Sequence, residues 1–160
     1  MTPTIAGMSA AGEKLIVDNR RARHDYHLLE RFEAGLALSG SEVKSLRLGQ
    51  ATLTRAYADI RAGEAWLVGA HIAPYEQASP GSHDPDRDRK LLLQRREIAA
   101  LYGELHEKGL TLVPTRLYFK AGRVKVELAL ARGKTGRDKR EDITRRDAQR
   151  EIERELKARR

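Results

Sequence analysis

Short apolar runs separated by turn residues dominate the first third of the chain. The run at residues 15–17 predicts a strand, and residues 26–38 predict one longer strand that bends around Gly35. Between the two strands, Asp18 or Asn19 can cap a short helical turn. A bent strand of this kind suits a small barrel.

A capped helix and a hairpin follow. Residues 39–42 have the Ser-x-x-Glu pattern of a capping box, and Gly49 can end the helix in a left-handed conformation. The apolar period then changes to two. The dipeptide Ala62-Gly63 divides this part into the two strands of a hairpin, at residues 51–60 and 64–72.

A loop and a second helix come next. Residues 74–88 contain three prolines and predict a loop that is functional or mobile, because loops of this length rarely lack a role. Apolar residues then recur at helical spacing, which predicts a helix that starts between Lys90 and Arg95 and ends at Gly109. The recurring residues are Leu91, Ile98, Leu101, Tyr102 and Leu105.

A final hairpin joins residues 110–119 to residues 123–131. Apolar and polar side chains alternate without a break in its second strand, so one face is buried and the other faces water. Pro114 interrupts the first strand and implies a bulge or a sheet edge.

The pattern as a whole predicts a β-rich α+β fold. Its strands form a small, closed antiparallel barrel of the oligonucleotide-binding type, with two to three helices and a flexible basic C-terminal tail. We divide the chain into a disordered N-terminus at residues 1–13, the barrel at residues 14–131 and the tail at residues 132–160.

The tail has almost no residues that could bury themselves. Residues 133–140 carry four basic groups, one acidic group and two glycines, which suits a hinge, a nucleic-acid ligand or both. Residues 141–160 are rich in helix formers, but their apolar stripe consists only of Ala148, Ile152 and Leu156. We therefore expect a tail that is frayed in solution and helical when a partner such as RNA holds it. The alternative is a solvated basic tail with no partner.

Composition points to a polyanionic partner. The chain has 160 residues and a net charge of +8, with 34% charged and 40% hydrophobic residues, which predicts a folded core under a basic surface. No segment approaches the ~20 apolar residues that a membrane-spanning helix needs. The N-terminus lacks the features of a signal peptide and the chain has no cysteine, so we expect a cytoplasmic protein.

The apparent catalytic and metal-binding motifs are incomplete. Gly133-Lys134-Thr135 lacks the earlier glycine of a phosphate-binding loop, and the aspartates of the 84–88 segment lack the glycine and distal glutamate of a calcium loop. His24 and His27 lie three apart but have no further metal ligands nearby in sequence. We predict no catalytic residues, no metal site and no cofactor, so an enzyme acting on nucleotides is a weak hypothesis.

Several motifs resemble the SsrA-binding protein (SmpB) family, in the same order and spacing over nearly the whole chain from Ile16 onward. They are Asn19-Arg20-Arg21-Ala22-Arg23-His24-Asp25-Tyr26, Glu33-Ala34-Gly35, Glu42-Val43-Lys44-Ser45-Leu46-Arg47, Arg89-Lys90-Leu91-Leu92-Leu93, Lys108-Gly109-Leu110-Thr111-Leu112-Val113-Pro114, and Gly133-Lys134 with Asp138-Lys139-Arg140.

The resemblance implies a function and a set of sites. It implies an oligonucleotide-binding barrel that binds the tRNA-like part of transfer-messenger RNA and delivers it to stalled bacterial ribosomes, where the tail probes the empty messenger channel at the decoding site. We expect a protein that is monomeric when free and has no membrane partner. The implied RNA-binding residues are Asn19, Arg20, Arg21, Arg23, His24, Glu33, Leu92 and Lys125. The implied ribosome-binding residues of the tail are Gly133, Lys134, Arg137, Asp138, Lys139 and Arg140.

Two positions of the tail depart from the family pattern. Thr135 stands where the family usually has a second lysine, and Arg137 stands where it often has a histidine or an aromatic residue. A guanidinium plane can also stack on a base, and it carries a permanent charge.

Alternatives remain for single residues and for the whole chain. The basic residues can neutralise phosphates or serve solubility. Glu33 can accept hydrogen bonds from base amino groups or position a neighbouring arginine, and Leu92 can pack on an unstacked base or lie in the core. A general ribosomal or single-strand RNA-binding protein is the alternative function, although two Phe and one Trp are few for stacking many bases.

Overall fold

The computed structural model of the protein describes residues 12–75, 82–134 and 136–158. Nine strands and four helices lie within these ranges. The strands are β1 (Glu13–Asp18), β2 (Tyr26–Leu36), β3 (Ala51–Thr52), β4 (Tyr57–Arg61), β5 (Glu64–Val68), β6 (His71–Ile72), β7 (Arg89–Leu92), β8 (Thr111–Lys120) and β9 (Arg123–Gly133). The helices are α1 (Arg20–Asp25), α2 (Gly40–Arg47), α3 (Arg95–Glu107) and α4 (Gly136–Ala158).

The main sheet closes on itself as an antiparallel barrel. Its seven strands follow the order β1-β8-β4-β5-β7-β2-β9, and β8 also pairs with β9. That second pairing completes a ring of strands, with β1 beside the C-terminal half of β8. Strands β3 and β6 form a separate two-stranded sheet. The predicted closed barrel is confirmed, and closure removes the exposed edges that an open sheet would present.

The alternating pattern of β9 places its apolar side chains in the barrel core. Val124, Val126, Leu128 and Leu130 pack there with leucines of the other strands and helices. The predicted turns are also confirmed: Ala62 and Gly63 have φ of +51° and +75°, and Ala121 and Gly122 have the same values. Two successive residues with positive φ match the right-handed twist of the strands that they join.

Local capping fixes the short helices. Ser39 and Glu42 form the predicted capping box of α2, with the Ser39 amide donating to Glu42 Oε1 at 2.9 Å. Of the two candidate caps for α1, the residue used is Asn19, whose Oδ1 accepts from the Ala22 amide. The bulge expected at Pro114 is present, because the register with β9 shifts between Pro114 and Arg116.

One prediction for the middle of the chain was wrong. Leu91 is not part of the second helix; it lies in β7, opposite Ala65 of β5 and Leu36 of β2, and it is buried. The helix starts at Arg95, the last position of the predicted range. Residues 26–36 form one strand, whose pairing with β9 is irregular between Leu28 and Glu30, and a bend at Gly35 stays a prediction.

The predicted domain limits shift by a few residues where the described chain can be compared with them. Glu13, expected in the disordered N-terminus, begins β1 and pairs with Lys120. Arg132 and Gly133, expected in the tail, continue β9 and pair with His27 and Tyr26. The predicted disorder of residues 1–11 and the centre of the 74–88 loop, residues 76–81, lie outside the described residues.

Helix α4 contains most of the predicted tail. All of its side chains that the structure describes are exposed, including Ile143, Ile152 and Leu156. The apolar stripe is therefore unburied, as its narrowness predicts. The dependence of this helix on a bound partner stays a prediction.

Candidate nucleic-acid interface

Helix α1 presents the basic N-terminal cluster on one end of the barrel. Arg20 and Arg21 are exposed, and Arg23 and His24 are half-buried. Asp25 orients part of this cluster, because its carboxylate accepts from Arg21 Nε at 3.3 Å and lies 2.9 Å from His24 Nδ1. Arg23 forms an ion pair with Asp18. Four groups that can contact phosphate are thus displayed by six residues of helix.

Asn19 holds α1 in place and has almost no surface for RNA. It is 6% exposed, and its Nδ2 donates to the carbonyl oxygens of Leu53 at 3.2 Å and Pro114 at 2.8 Å. Its backbone amide donates to the Thr115 carbonyl at 2.7 Å. A buried side-chain amide with these partners fixes the helix on the barrel. Asn19 thus fixes the position of the helix that carries Arg20, Arg21 and Arg23.

The root of the tail is attached to the same end of the barrel. The Lys134 amide donates to the Asp25 carbonyl at 2.8 Å, and Lys134 Nζ donates to the Arg23 carbonyl at 3.1 Å. Gly133 lies in β9. The predicted hinge therefore does not start at Gly133, because Gly133 and Lys134 are held against β2 and α1. Of the other predicted tail residues, Arg140 is exposed, and the side chains of Arg137, Asp138 and Lys139 lie outside the described residues.

Glu33 lies in a second polar cluster, in the other half of β2. Its carboxylate accepts hydrogen bonds from the Tyr118 hydroxyl and from Lys120 Nζ, the latter at 3.3 Å. Burial raises the pKa of Glu33, but the hydrogen bonds from Tyr118 and Lys120 and the nearby charge of Lys125 outweigh it, so the net pKa is lowered. Burial and the hydrogen bond to Glu33 raise the pKa of Tyr118 far above its usual range. Glu33 is thus held as an anion beside two lysines.

The Glu33 cluster continues into a network that the sequence did not indicate. Glu127 lies opposite Glu33 in the β2–β9 ladder, where two like charges would repel. Arg31 and Arg116 each approach the Glu127 carboxylate to 3.6 Å, and Thr115 donates a hydrogen bond to it. The network reaches Glu13, which pairs with Arg116 at 3.4 Å and which was expected to be disordered. Only the register of β1, β8, β9 and β2 brings these charges together.

Leu92 and Lys125 meet beside Gly35. Gly35 is opposite Leu92 in one ladder and opposite Lys125 in the other. Both side chains line a cavity of about 280 Å³, and Leu92 is 55% exposed. A Cβ at Gly35 would lie 3.3 Å from Leu92 Cδ1, so glycine lets the leucine pack closely on the strand. Because Leu92 is exposed, the structure favours packing of this side chain on an unstacked base over a position in the core.

The predicted RNA-binding residues therefore form two groups and not one. Helix α1 precedes Tyr26 at one end of β2, whereas Gly35, with Leu92 and Lys125 beside it, lies at the other end. Gly35 follows Tyr26 by nine positions of strand, which corresponds to roughly 30 Å along β2. An RNA that contacts both groups must therefore span this distance.

A buried ion cluster supports the strand that carries Leu92. Arg89 is fully buried, and its Nε donates to Glu42 Oε2 at 2.6 Å while its Nη1 donates to the Ala70 carbonyl at 2.6 Å. Arg87 also pairs with Glu42. Burial raises the pKa of Glu42, but the hydrogen bonds from Arg87, Ser39 and Arg89 outweigh it and lower the pKa to about 2. The alternation of Arg89–Leu92 was the available signal for this buried strand.

Other kinds of site find little support in the part of the chain that the structure describes. Within it, no group of three or more histidine, cysteine, aspartate or glutamate residues could hold a metal ion. No helix among the described residues is long and apolar enough to cross a membrane.

Comparison with known proteins decides the family. The family model described as "SmpB protein" matches residues 16–158, a range that includes α1, the Glu33 cluster, Leu92, Lys125 and α4. The chain belongs to the SmpB family. The family resemblance seen in the sequence motifs is thus confirmed.

Individual members of the SmpB family align over most of their length. The SsrA-binding protein of Carboxydothermus hydrogenoformans is 56% identical over 147 residues, which cover 92% of this chain and 99% of that protein. The SsrA-binding protein of Mycobacterium bovis (strain BCG / Pasteur 1173P2) is 57% identical over 148 residues, which cover 92% of each. A solved structure described as "tmRNA-SmpB: a journey to the center of the bacterial ribosome" contains a chain that is 50% identical, with a TM-score of 0.65 and coverage of 79% of this chain and 93% of that one.

Proposed function

We propose that this protein binds the tRNA-like domain of transfer-messenger RNA and delivers it to stalled bacterial ribosomes for trans-translation. The SsrA-binding relatives and the tmRNA-SmpB structure on the ribosome support this function. The observation that carries the proposal is the grouping of exposed Leu92 with Lys125 and Glu33 on one end of the barrel. The protein acts in the cytoplasm as a binding factor and not as an enzyme.

The Glu33 end of the barrel supplies three different contacts to RNA. Lys125 neutralises phosphate, Leu92 packs on an unstacked base, and the Glu33 carboxylate accepts hydrogen bonds from base amino groups. Glu33 is suited to this because it is ionised and its geometry is fixed by Tyr118 and Lys120. The combination favours a folded RNA with exposed bases over a general single strand, which needs a row of aromatic platforms.

A truncated protein tests whether the barrel alone binds the RNA. A chain ending at Lys134 keeps β9 complete and keeps the contacts of Lys134 with Asp25 and Arg23. We expect it to bind the tRNA-like domain about as tightly as the full chain in a filter-binding assay at moderate salt. A large loss of affinity would contradict the proposal, and equal affinity for unrelated single-stranded RNA would favour a general RNA-binding protein.

We propose further that the tail reports on the messenger channel at the decoding site. Basic residues such as Lys139 and Arg140 are drawn to ribosomal RNA phosphates, and an intact message occupies the same space and excludes the tail. The exposed apolar stripe of α4 leaves this helix without support from the barrel. Helix formation in residues 136–158 is then strengthened by the ribosome.

Replacement of Asp138, Lys139 and Arg140 by alanine should separate the delivery of transfer-messenger RNA to the ribosome from the later transfer of the stalled peptide. We expect the triple variant to bind transfer-messenger RNA and the ribosome almost normally, but to block transfer of the stalled peptide to the RNA's alanine. Tagging at the wild-type rate would exclude the role of the tail. Loss of transfer-messenger RNA binding equal to that of a Glu33→Gln variant would place these residues in the first binding step instead.

A further inference from the structure

The C-terminal end of α1 leaves backbone carbonyls that the helix itself does not pair. The last carbonyl groups of any α-helix lack an intrahelical partner, and α1 has only six residues. The Tyr26 amide closes the helix by donating to the Ala22 carbonyl. The carbonyls of Arg23 and Asp25 lie beyond this bond, so their partners must be water or another part of the chain.

Lys134, at the root of the tail, donates to both of these carbonyls. Its amide donates to the Asp25 carbonyl at 2.8 Å, and its Nζ donates to the Arg23 carbonyl at 3.1 Å. A lysine is favourable at this end of a helix, because the ammonium bonds the last carbonyls and has the charge that they attract. Lys134 thus caps α1 across 111 positions of the chain. We call these two hydrogen bonds the Lys134 cap.

Helix α1 is a firm attachment for this cap. Asn19 ties the start of the helix to β8, because its Nδ2 donates to the Pro114 carbonyl at 2.8 Å. The buried Ala22 packs with Val113 and Ala131 of the barrel. A residue that is bonded to the end of α1 is therefore bonded to a helix that the barrel holds at both its start and its inner face.

Lys134 is also the point from which the tail helix leaves. Gly133 ends β9 opposite Tyr26, and α4 begins at Gly136. One residue lies between Lys134 and Gly136, so their Cα atoms are at most about 8 Å apart. The side chains of α4 that the structure describes are all exposed, so their packing does not locate the helix on the barrel. The Lys134 cap consequently sets where α4 starts.

The surroundings of Lys134 differ from those of the other basic residues near it in the sequence. Lys134 is half-buried, whereas Arg132 and Arg140 are exposed. An ammonium that caps a helix has given up part of its hydration and at least one of its donors to a backbone carbonyl. Lys134 is thus suited to hold the chain in place, and the exposed Arg140 is suited to meet a phosphate.

We propose that Lys134 is a positioning residue for the tail, which caps the C-terminal end of α1 and so fixes the starting point of α4, and that it is not itself a ribosome contact. The inference rests on the tail function proposed above and adds how the barrel aims the tail. It also reassigns Lys134, which the family resemblance placed among the ribosome-binding residues.

Amide hydrogen exchange of residue 134, followed by NMR on the full-length protein without RNA, tests the cap directly. Lys134→Met keeps the stem of the side chain but removes the ammonium. After correction for intrinsic rates, the amide of residue 134 should exchange about tenfold faster, because the bond to Asp25 loses the support of a charged hydrogen bond. Lys134→Arg keeps a charged donor and should stay close to the wild type.

Lys108→Met is the matched control for the exchange experiment. The Lys108 amide also donates to a helix carbonyl, that of Glu104 at 3.3 Å, but its ammonium is exposed and pairs with a carboxylate of α3. This substitution should leave the exchange of residue 134 unchanged. If Lys134→Met also leaves that exchange unchanged, the ammonium does not support the cap and the proposal is overturned.

Peptide tagging on stalled ribosomes tests whether the cap positions the tail. Lys134→Met should tag about threefold more slowly or worse, since only molecules whose tail starts at the right place are competent, and Lys134→Arg should restore most of the rate. The slope of log ribosome affinity against log salt should not change. A slope reduced by about 0.7–0.9 would make Lys134 a phosphate contact, and faster exchange with wild-type tagging would show that the cap does not position the tail. Either result overturns the proposal.

The two measurements keep this inference distinct from the proposed function. Hydrogen exchange needs neither RNA nor ribosome, so its outcome does not depend on what the tail does. If the alanine variant of residues 138–140 tagged at the wild-type rate, the tail function would fail while the exchange result for Lys134→Met stood. If instead that variant blocked tagging and Lys134→Met exchanged like the wild type, the tail function would stand and this inference would fail.

Discussion

Glu42 and Glu33 are two carboxylates of one barrel that are held ionised by different means. Glu42 is completely buried and is neutralised by Arg89, which is also buried, and by Arg87. Glu33 is half-buried and is held by Tyr118 and Lys120, with Lys125 nearby. In both, hydrogen bonds and positive charge outweigh burial and lower the pKa.

The two environments suit different roles, because the Glu42 cluster lies inside the protein and the Glu33 cluster lies nearer its surface. Glu42 and Arg89 are fully buried and Arg87 is partly exposed, and their ion cluster connects α2, the 82–88 segment and β7. The cluster around Glu33 remains accessible at the end of the barrel that also exposes Leu92. The first cluster therefore stabilises the fold, and the second is the cluster that we propose to contact RNA.

The largest effect is expected from breaking the buried cluster. Arg89→Met removes the buried cation and leaves Glu42 with Arg87 and the Ser39 amide, so the free energy of unfolding should fall by about 3–5 kcal/mol. Urea denaturation followed by circular dichroism measures it. Lys108→Met is the control, because the exposed pair of Lys108 with Glu104 contributes less than about 1 kcal/mol. A loss for Arg89→Met as small as that of the control would show that the cluster does not stabilise the fold.

Acid should remove the contribution of Glu42. Its folded pKa of about 2 lies below the unfolded value of 4.5, so the stabilisation is complete above that value and is lost as the pH falls toward 2. The loss is about 3 kcal/mol by proton linkage. Measured by urea denaturation across this range, the wild type should lose more stability than Glu42→Gln, which has no proton to bind. Parallel pH profiles for the two proteins would contradict this assignment.

Glu33→Gln should affect RNA binding more than stability, unlike Arg89→Met. The free energy of unfolding should fall by only about 1 kcal/mol, because a hydrogen-bonded but partly solvated group is replaced by an isosteric amide. The affinity for the tRNA-like domain should fall about tenfold, since the amide presents one acceptor oxygen where the carboxylate presents two.

Tyr118→Phe is the matched control for Glu33. It removes the hydroxyl that donates to Glu33 but keeps the carboxylate and Lys120. We expect a similar loss of stability and a smaller loss of RNA affinity than for Glu33→Gln, because the carboxylate and Lys120 stay in place, as measured by denaturation and filter binding on the same preparations. If Glu33→Gln instead unfolds the protein as readily as Arg89→Met and leaves RNA affinity unchanged, the contrast between the two glutamates disappears.

The smallest effect is expected from Lys125→Ala. One lost phosphate contact should weaken RNA binding a few-fold and reduce the slope of log affinity against log salt by about 0.7–0.9. Lys108→Ala, on the exposed end of α3, should leave that slope unchanged. Filter binding over a range of salt concentrations measures both. Equal slopes for the wild type and Lys125→Ala would remove Lys125 from the phosphate contacts, and Glu33→Gln should keep the wild-type slope because it loses no cation.

The sequence alone determined the features that depend on neighbouring residues. The capping box of Ser39 and Glu42, the Ala62-Gly63 turn and the bulge after Pro114 were all predicted, because a turn or a cap is decided within four residues. The alternation in β9 likewise showed which of its side chains enter the core. These local signals were sufficient for a closed antiparallel barrel, and the motifs were sufficient for the family.

Only the tertiary structure decided how the functional residues are grouped. Leu91 fits a helical spacing with Ile98, but pairing with β2 and β5 makes it a strand residue. Asn19 bonds Pro114 across 95 positions of the chain, and Glu33 meets Tyr118 across 85. Such contacts depend on the closure of β8 onto β9 and on strand register, which follow from the packing of the whole core and leave no trace in a local pattern.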